Sequence, residues 1–245
     1  MKKWIAFWNI LSKDIRVYYL KPPNVSWGLI FPLAWTGMFF IKSGQANEGI
    51  LDLLPGVIAI SILFGTTSML AVTITFEKQS RAFDRLLLAP LSLELLMMAK
   101  TAGAIIFGVV NTIIPIVLAA CIVDLSGVSW ALAVPAILLT GIMSAFLGLY
   151  IAVSTSMVFE AQSVSNFFRF PMLFLCGLFF PLSALPLFLL PLSYILPLTY
   201  GVDILHGAVN HRNTMPLALD FILLAAFCAG LFFLSLNNIK RKWIL

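Results

Sequence analysis

An all-α polytopic membrane protein with six transmembrane helices is the fold class this sequence predicts, and three observations predict it. Of 245 residues, 61% are hydrophobic and 10% charged, against roughly 45–50% and about 25% in soluble domains. The apolar residues gather in runs approaching the ~20 residues needed to cross a hydrocarbon core of about 30 Å. Those runs are solid, whereas barrel strands alternate; in lipid, a helix satisfies its own backbone hydrogen bonds.

The elements follow in order. The opening "MKKWIAFWNILSKDIRVYYLKPP" mixes Trp4, Trp8, Tyr18 and Tyr19 with lysines, which predicts an interfacial amphipathic helix over residues 1–21 that turns into the membrane at Pro22-Pro23. Its apolar stretch is broken by Asn9, Ser12, Lys13, Asp14 and Arg16, so it does not read as a cleavable signal. Transmembrane spans are predicted at 25–41, 53–75, 101–123, 130–154, 167–182 and 217–236. Pro32, Pro115, Pro135 and Pro171 fall in or near them and mark kinks. A short amphipathic cytoplasmic helix is expected at 77–90. Between the last two spans, Pro181, Pro186, Pro191 and Pro197 recur too closely for one straight helix. That stretch is also too apolar for a free loop, so residues 181–209 are expected to form outer re-entrant half-helices packed on protein.

Charge sets the orientation. With a cytoplasmic N-terminus, Lys2, Lys3, Lys13, Arg16, Lys21, Lys78, Arg81, Arg85, Lys100, Arg169, Lys240, Arg241 and Lys242 lie inside, and only Lys42 and Arg212 outside. The positive-inside rule therefore predicts a plasma-membrane protein with both termini cytoplasmic. The same bias accounts for the net charge of +5 without nucleic acid, because the bases flank apolar runs instead of forming an aromatic-laced patch.

Other chemistries are disfavoured. Cys121, Cys176 and Cys228 are far apart and read as small buried side chains. His206 and His211 have no ligand-spaced partners and read as solvated or interfacial. There is no G-x-x-x-x-G-K-[ST] phosphate loop, H-E-x-x-H or G-x-S-x-G, so no catalytic, cofactor-binding or metal residue is assigned and the chain is not expected to be an enzyme. Ionisable residues are absent from predicted mid-membrane positions, which disfavours ion-coupled transport. Asn111 reads as a helix–helix hydrogen-bonding residue rather than a substrate contact. Ser144, Gly148, Ala152 and Ser156 give a small-residue face for close approach, either within the chain or between subunits.

The stretch "TFEKQSRAFDRLLLAPLS" breaks the pattern, with Glu77, Lys78, Arg81, Asp84 and Arg85 within nine positions. Glu77, Arg81 and Arg85 are spaced by four, and Asp84 lies three from Arg81, so they make a polar ladder. Phe83, Leu86 and Leu87 supply an apolar side, and Pro90 ends the helix. It is either a surface loop anchored in headgroups or a docking helix for a cytoplasmic partner.

Here the residues carry a resemblance. "EKQSRAFDRLLLAPLS" with "LLMMAK" is similar to the cytoplasmic segment of type-2 ABC transporter permeases, the exporter-type family that includes drug-resistance and polysaccharide-export permeases. Glu77, Arg85, Leu86, Leu87, Pro90, Leu91, Ser92 and Lys100 match; Ala82-Phe83 stand where the family commonly has Gly-Thr, and Asp84 stands for Glu. "GLFFPLSALPLFLLPLSYILPLTYGVDILHGAV" resembles the family's stretch between the fifth and sixth spans through Phe180, Pro181, Ser183, Leu185 and Pro186, then Pro197, Leu198, Thr199, Tyr200, Val202 and Asp203. His206 lies near where an Arg often follows. "KDIRVYYLKPPNVSWGLIFPLAW" resembles the first helix and first span.

The resemblance implies one transmembrane domain over 1–245. It also implies a second copy of this or a homologous permease, and a separate cytoplasmic ATP-binding subunit that uses ATP and Mg while this chain binds none. Glu77, Arg81, Asp84, Arg85, Leu86 and Leu87 would form the coupling helix to that subunit. Pro181, Ser183, Pro186, Pro197, Tyr200 and Asp203 would form the outer gate. The expected substrate is hydrophobic, lipid-like or lipid-linked: a drug, a lipid or a glycan. A membrane scaffold docking a soluble partner, and a secondary transporter, are the alternative functions.

Overall fold

The structure, a computed structural model, describes residues 2–19, 47–89, 91–178 and 181–244, together with Ile30, Ala34, Gly37 and Met38. All regular elements among the described residues are helical. Apart from those four residues, the expected first span, 25–41, lies outside the described residues, as do Pro22-Pro23, Lys42, Pro90 and Phe180.

The first helix, α1 (Lys2–Asp14), runs into a π-helical turn at Ile15–Tyr19. Trp4, Ile5 and Trp8 are exposed while Ile10, Leu11 and Tyr19 are buried, the two-faced pattern of an interfacial helix. Next comes α2 (Asn47–Gln79). It is apolar on every side and almost wholly buried, as such a helix must be when neighbours surround it. Those neighbours are α4 (Leu93–Ala120), α5 (Trp130–Ser154), α6 (Val158–Leu175) and α8 (Leu198–Asn210). Between α2 and α4 sits the short α3 (Ala82–Leu87); α7 (Leu190–Ile195) follows a 3₁₀ turn at Leu182–Ala184. The last helix, α9 (Leu217–Ile239), continues as a π-helical turn at Lys240–Ile244 and packs on α5.

Among the described residues, four helical stretches are long and apolar enough to cross a membrane: Gly49–Gln79, Leu93–Ala120, Trp130–Ser154 and Leu217–Lys242. On α4, Ile106, Val110, Ile113 and Val117 are exposed at three- and four-residue steps, a stripe that only lipid or another protein can cover. The protein interior gathers on α2, where close approach depends on small residues. At Gly148 an added Cβ would lie 2.7 Å from the Thr67 carbonyl oxygen, so α5 and α2 approach backbone to backbone. Ser144, Gly148 and Ala152 are thus spent on packing inside the chain, whereas Ser156 is exposed. Asn111, 3% exposed, lies over Gly65 of α2, which fits the helix–helix reading.

The structure corrects several sequence expectations. A span was expected at 167–182; the helix that covers the start of this stretch, α6, runs over Val158–Leu175. Polar residues from Glu160 to Asn166 masked its first half from a hydropathy scan, but they continue the helix. Its end is fixed at Cys176–Gly177, where Gly177 takes φ 78°, a left-handed conformation that favours glycine. As a result Arg169, expected at the cytoplasmic surface, lies eleven residues into α6, about 16 Å along its axis. Its guanidinium is buried 4.5 Å from the Phe64 ring, with Nε donating to Ser165 O at 3.1 Å and Nη2 to Asn166 Oδ1 at 2.9 Å. Cys176 and Cys228 are buried as expected, but Cys121 is exposed just past α4.

Candidate functional site

The segment singled out in the sequence does not form one helix. α2 carries Glu77 to its last turn and stops at Gln79; Arg81 reverses the chain with φ 54°, and α3 begins at Ala82. The polar ladder from Glu77 to Arg85 is therefore split. The physical reason is that Glu77 is drawn into the protein while Arg81, Asp84 and Arg85 remain exposed. Two residue sets with different chemistry result.

The buried set is a ring of four charges. Glu77 at the end of α2 bonds Lys13 of α1 through Oε1 and Lys100 of α4 through Oε2. Asp14 closes the ring, its Oδ2 2.9 Å from Lys100 Nζ and its Oδ1 3.1 Å from Lys13 Nζ. Two cations alternate with two anions. Glu77, Asp14 and Lys100 are inaccessible, and only Lys13 reaches solvent. Burial opposes the Lys13 ammonium, but hydrogen bonding to Glu77 and the charge of Asp14 outweigh it and hold its pKa above the ordinary lysine value.

Aromatic residues seal the ring. Tyr19 is 1% exposed, stacks on Phe107 at 5.7 Å and lies against Gly103, where a Cβ would come within 2.9 Å of its ring. Burial, reinforced by Asp14 and Glu77, drives the Tyr19 hydroxyl pKa well above its usual value. Lys13 sits 5.5 Å over the Tyr18 ring, which meets Phe76 edge-on. Charges removed from water at this cost are tolerated only when each is paired. The ring therefore ties α1, α2 and α4 together.

The exposed set is α3. Phe83 points inward at 1% exposure and fixes the helix on the protein. Leu86 and Leu87 are half-buried, and Leu88 is 87% exposed beside Arg81, Asp84 and Arg85. An apolar side chain thus stands in solvent among charges of both signs.

Sequence reasoning placed Lys100 in a motif but missed its partners. Asp14 carried a signal: it is the only acid among the first 47 residues, set among Lys2, Lys3, Lys13, Arg16 and Lys21. A lone acid in a basic helix asks for a distant cation.

At the opposite end of α2, the expected gate residues do not converge. Pro181 and Asp203 line one cavity of about 380 Å³, Pro197 and Tyr200 are buried, and Ser183 and Pro186 are exposed. Tyr200 donates to Tyr194 O at 2.6 Å and stacks on Phe227. Asp203 caps the next turn, accepting from Thr214 N at 2.8 Å and Met215 N at 2.9 Å.

Comparison with known proteins shows the family. The family model described as ABC-2 type transporter matches residues 5–210. The inner membrane transport permease YadH of Escherichia coli K12 is 23% identical over 246 residues, covering 97% of this chain and 96% of its own. Nodulation protein J of Sinorhizobium fredii is 27% identical over 191 residues, covering 78% and 73%. Its namesake from Bradyrhizobium diazoefficiens is 28% identical over 215 residues, covering 81% and 76%.

Proposed function

Because the chain belongs to the ABC-2 type transporter family, we propose that it is the membrane half of an ATP-driven exporter coupled to a separate ATP-binding subunit through α3. Membership makes it a transporter permease of a multi-pass membrane protein family, which in general implies an ATP-binding partner. The finer reading is that 1–245 forms one six-span domain. Spans at 25–41 and in α6 join the four apolar helices, and both termini, α1, α3 and the charge ring are cytoplasmic. Two such permeases enclose the path of a hydrophobic, lipid-like or lipid-linked substrate.

The observation that carries this reading is the division of labour at the end of α2. Arg81, Asp84, Arg85 and Leu88 project from α3 as a contact surface. Directly behind them, Glu77 is locked to α1 and α4 by Lys13 and Lys100. A push on α3 is then received by a tied group of helices, and rigid-body rocking of packed elements follows. Glu77 acts as the internal anchor rather than as a contact, since it is buried. The segment 181–209 yields at the far side as the outer gate, with Pro181 and Asp203 at the cavity and Tyr200 as a buried hinge support. ATP and Mg belong to the partner, and this chain does no hydrolysis.

The test is co-purification with the ATP-binding subunit in lipid. Arg81→Glu with Arg85→Glu is expected to abolish an equal-number complex and the permease-dependent part of ATP turnover. A charge-reversed chain that still binds and still modulates turnover would remove α3 from the interface.

A further inference from the structure

We propose that the ends of α2 and α9 form a binding site for the headgroup of an anionic phospholipid, with Lys78 and Lys242 holding its phosphate. The site takes from the transport reading only that this end lies at the cytoplasmic leaflet.

Packing brings the two cations together. Ile74, one turn before Lys78, and Leu236 and Ile239, shortly before Lys242, are buried in one core cluster with Phe83 of α3. Both helices therefore end at the same face of the protein. Glu77 is inaccessible in the charge ring, whereas the next residue, Lys78, is half-buried and Lys242 is exposed. The Lys242 ammonium lies close enough to repel that of Lys78, and Asp84 is the acid that attracts it. Lys240 and Arg241 add two exposed positive charges on the same π-helical turn as Lys242.

Among these groups, bases outnumber acids four to one. The helix dipole favours a cation at a helix C-terminus, which accounts for each lysine alone but not for bringing the two within range of each other. Like charges held together oppose the compact state. A phosphate shared between them relieves the repulsion and accepts hydrogen bonds from both ammonium groups, each with three donors. Basic pockets between transmembrane helices on the cytoplasmic side bind anionic headgroups in this way.

Apolar surface beside the cations selects a lipid over a free phosphate. Phe76, two residues before Lys78, is exposed, as are Phe233 and Leu234, which lie about 12–14 Å before Lys242 along α9. Each helix thus offers a surface for acyl chains below its cation. On α1, which the charge ring ties to α2, Trp4 and Trp8 are exposed as well, and such aromatic side chains mark the depth of the headgroups.

The experiment uses the full chain in dodecyl maltoside and reads binding by native mass spectrometry. The probes are dioctanoyl phosphatidylglycerol, dioctanoyl phosphatidylcholine and glycerol phosphate. No ATP-binding subunit is present, so failure here would leave the permease assignment standing. Phosphatidylglycerol is expected to bind saturably, and the other two at least about tenfold more weakly. Lys78→Gln with Lys242→Gln is expected to weaken it roughly thirtyfold, about fivefold for each cation at an anionic headgroup. Lys78→Arg with Lys242→Arg keeps the charge and should keep binding. Lys2→Gln with Lys3→Gln removes equal charge from α1 and should leave binding nearly unchanged. Equal binding of the two phospholipids, an equal loss in the α1 variant, or undiminished binding to the glutamine pair overturns the proposal. Glycerol phosphate binding as tightly as phosphatidylglycerol would make this a free-anion site and overturn its lipid occupant.

Discussion

The two ends of α2 treat charge in opposite ways. Glu77 and Asp52 are twenty-five residues apart on one helix, about 38 Å along its axis. At the Glu77 end, two acids and one base are buried and a second base, Lys13, reaches solvent, the four alternating and mutually paired. At the Asp52 end, one acid and one base line a cavity and form no ion pair among the described residues. Full pairing suits a joint that must hold several helices in register. Unpaired charges at a mouth suit a surface that waits for a ligand or moves. One helix thus carries a closed joint at one end and an open site at the other.

The largest effect should come from breaking the joint. Lys100→Met leaves Glu77 and Asp14 buried with one cation between them, at an expected cost of about 3–5 kcal/mol. The double variant Glu77→Gln with Lys100→Met should recover a large part of that, because a neutral pair leaves no orphaned charge. Thermal unfolding in detergent reads both; equal losses in single and double variants would deny that the ring acts as a unit.

Next is a matched pair of glycines. At Gly56 an added Cβ would collide with the Leu178 carbonyl oxygen, which is backbone, whereas at Gly103 it meets the Tyr19 ring. Gly56→Ala should cost about 1–3 kcal/mol and push Leu178 into the cavity. Gly103→Ala should cost less in stability, since a ring can tilt, and should act chiefly on the joint. Unfolding midpoints of the two variants, compared in one buffer, decide the order.

A smaller difference concerns pH. Burial depresses the His206 pKa below its ordinary value. A group with a lowered native pKa binds more protons unfolded than folded over that interval. Its contribution is therefore complete above the unfolded value of about 6.5 and is lost as pH falls toward the native value. Groups facing it are Asp203 and Asp52. Between pH 7.5 and 5.5 the wild-type midpoint should fall, and His206→Gln should fall less; identical slopes would show that His206 is not the titrating group.

Least is expected for the fold from Arg81→Glu or Arg85→Glu, both exposed, at within about 0.5 kcal/mol. Their predicted effect lies on partner binding alone, which separates the docking surface from the joint behind it.

The apolar helices were legible because a bilayer demands long uniform runs. Thus 130–154 was read at the boundaries that α5 takes. α6 was not, because polar residues such as Glu160 and Asn166 lie inside a helix whose hydropathy they lower. The charged stretch announced itself by contrast, yet its split at Arg81 could not be read. Spacing of four suggests one helix, and only the distant cations Lys13 and Lys100 explain why Glu77 turns inward. The cavity was hidden for the same reason: Asp52 and Arg212 are 160 positions apart, and periodicity records neighbours along the chain alone.

The most direct test of the joint follows motion from one end to the other. Spin labels at Leu187 and Asn213, both exposed, would report the width of the outer region in the reconstituted complex with its ATP-binding subunit; Cys121, Cys176 and Cys228 would be replaced by alanine. Addition of ATP is expected to shift the distance distribution in the wild-type ring. It should leave it unmoved in Glu77→Gln with Lys100→Met, although that variant still binds the subunit and hydrolyses ATP. An unchanged ATP-driven shift in the double variant would contradict the ring as the element that transmits the stroke.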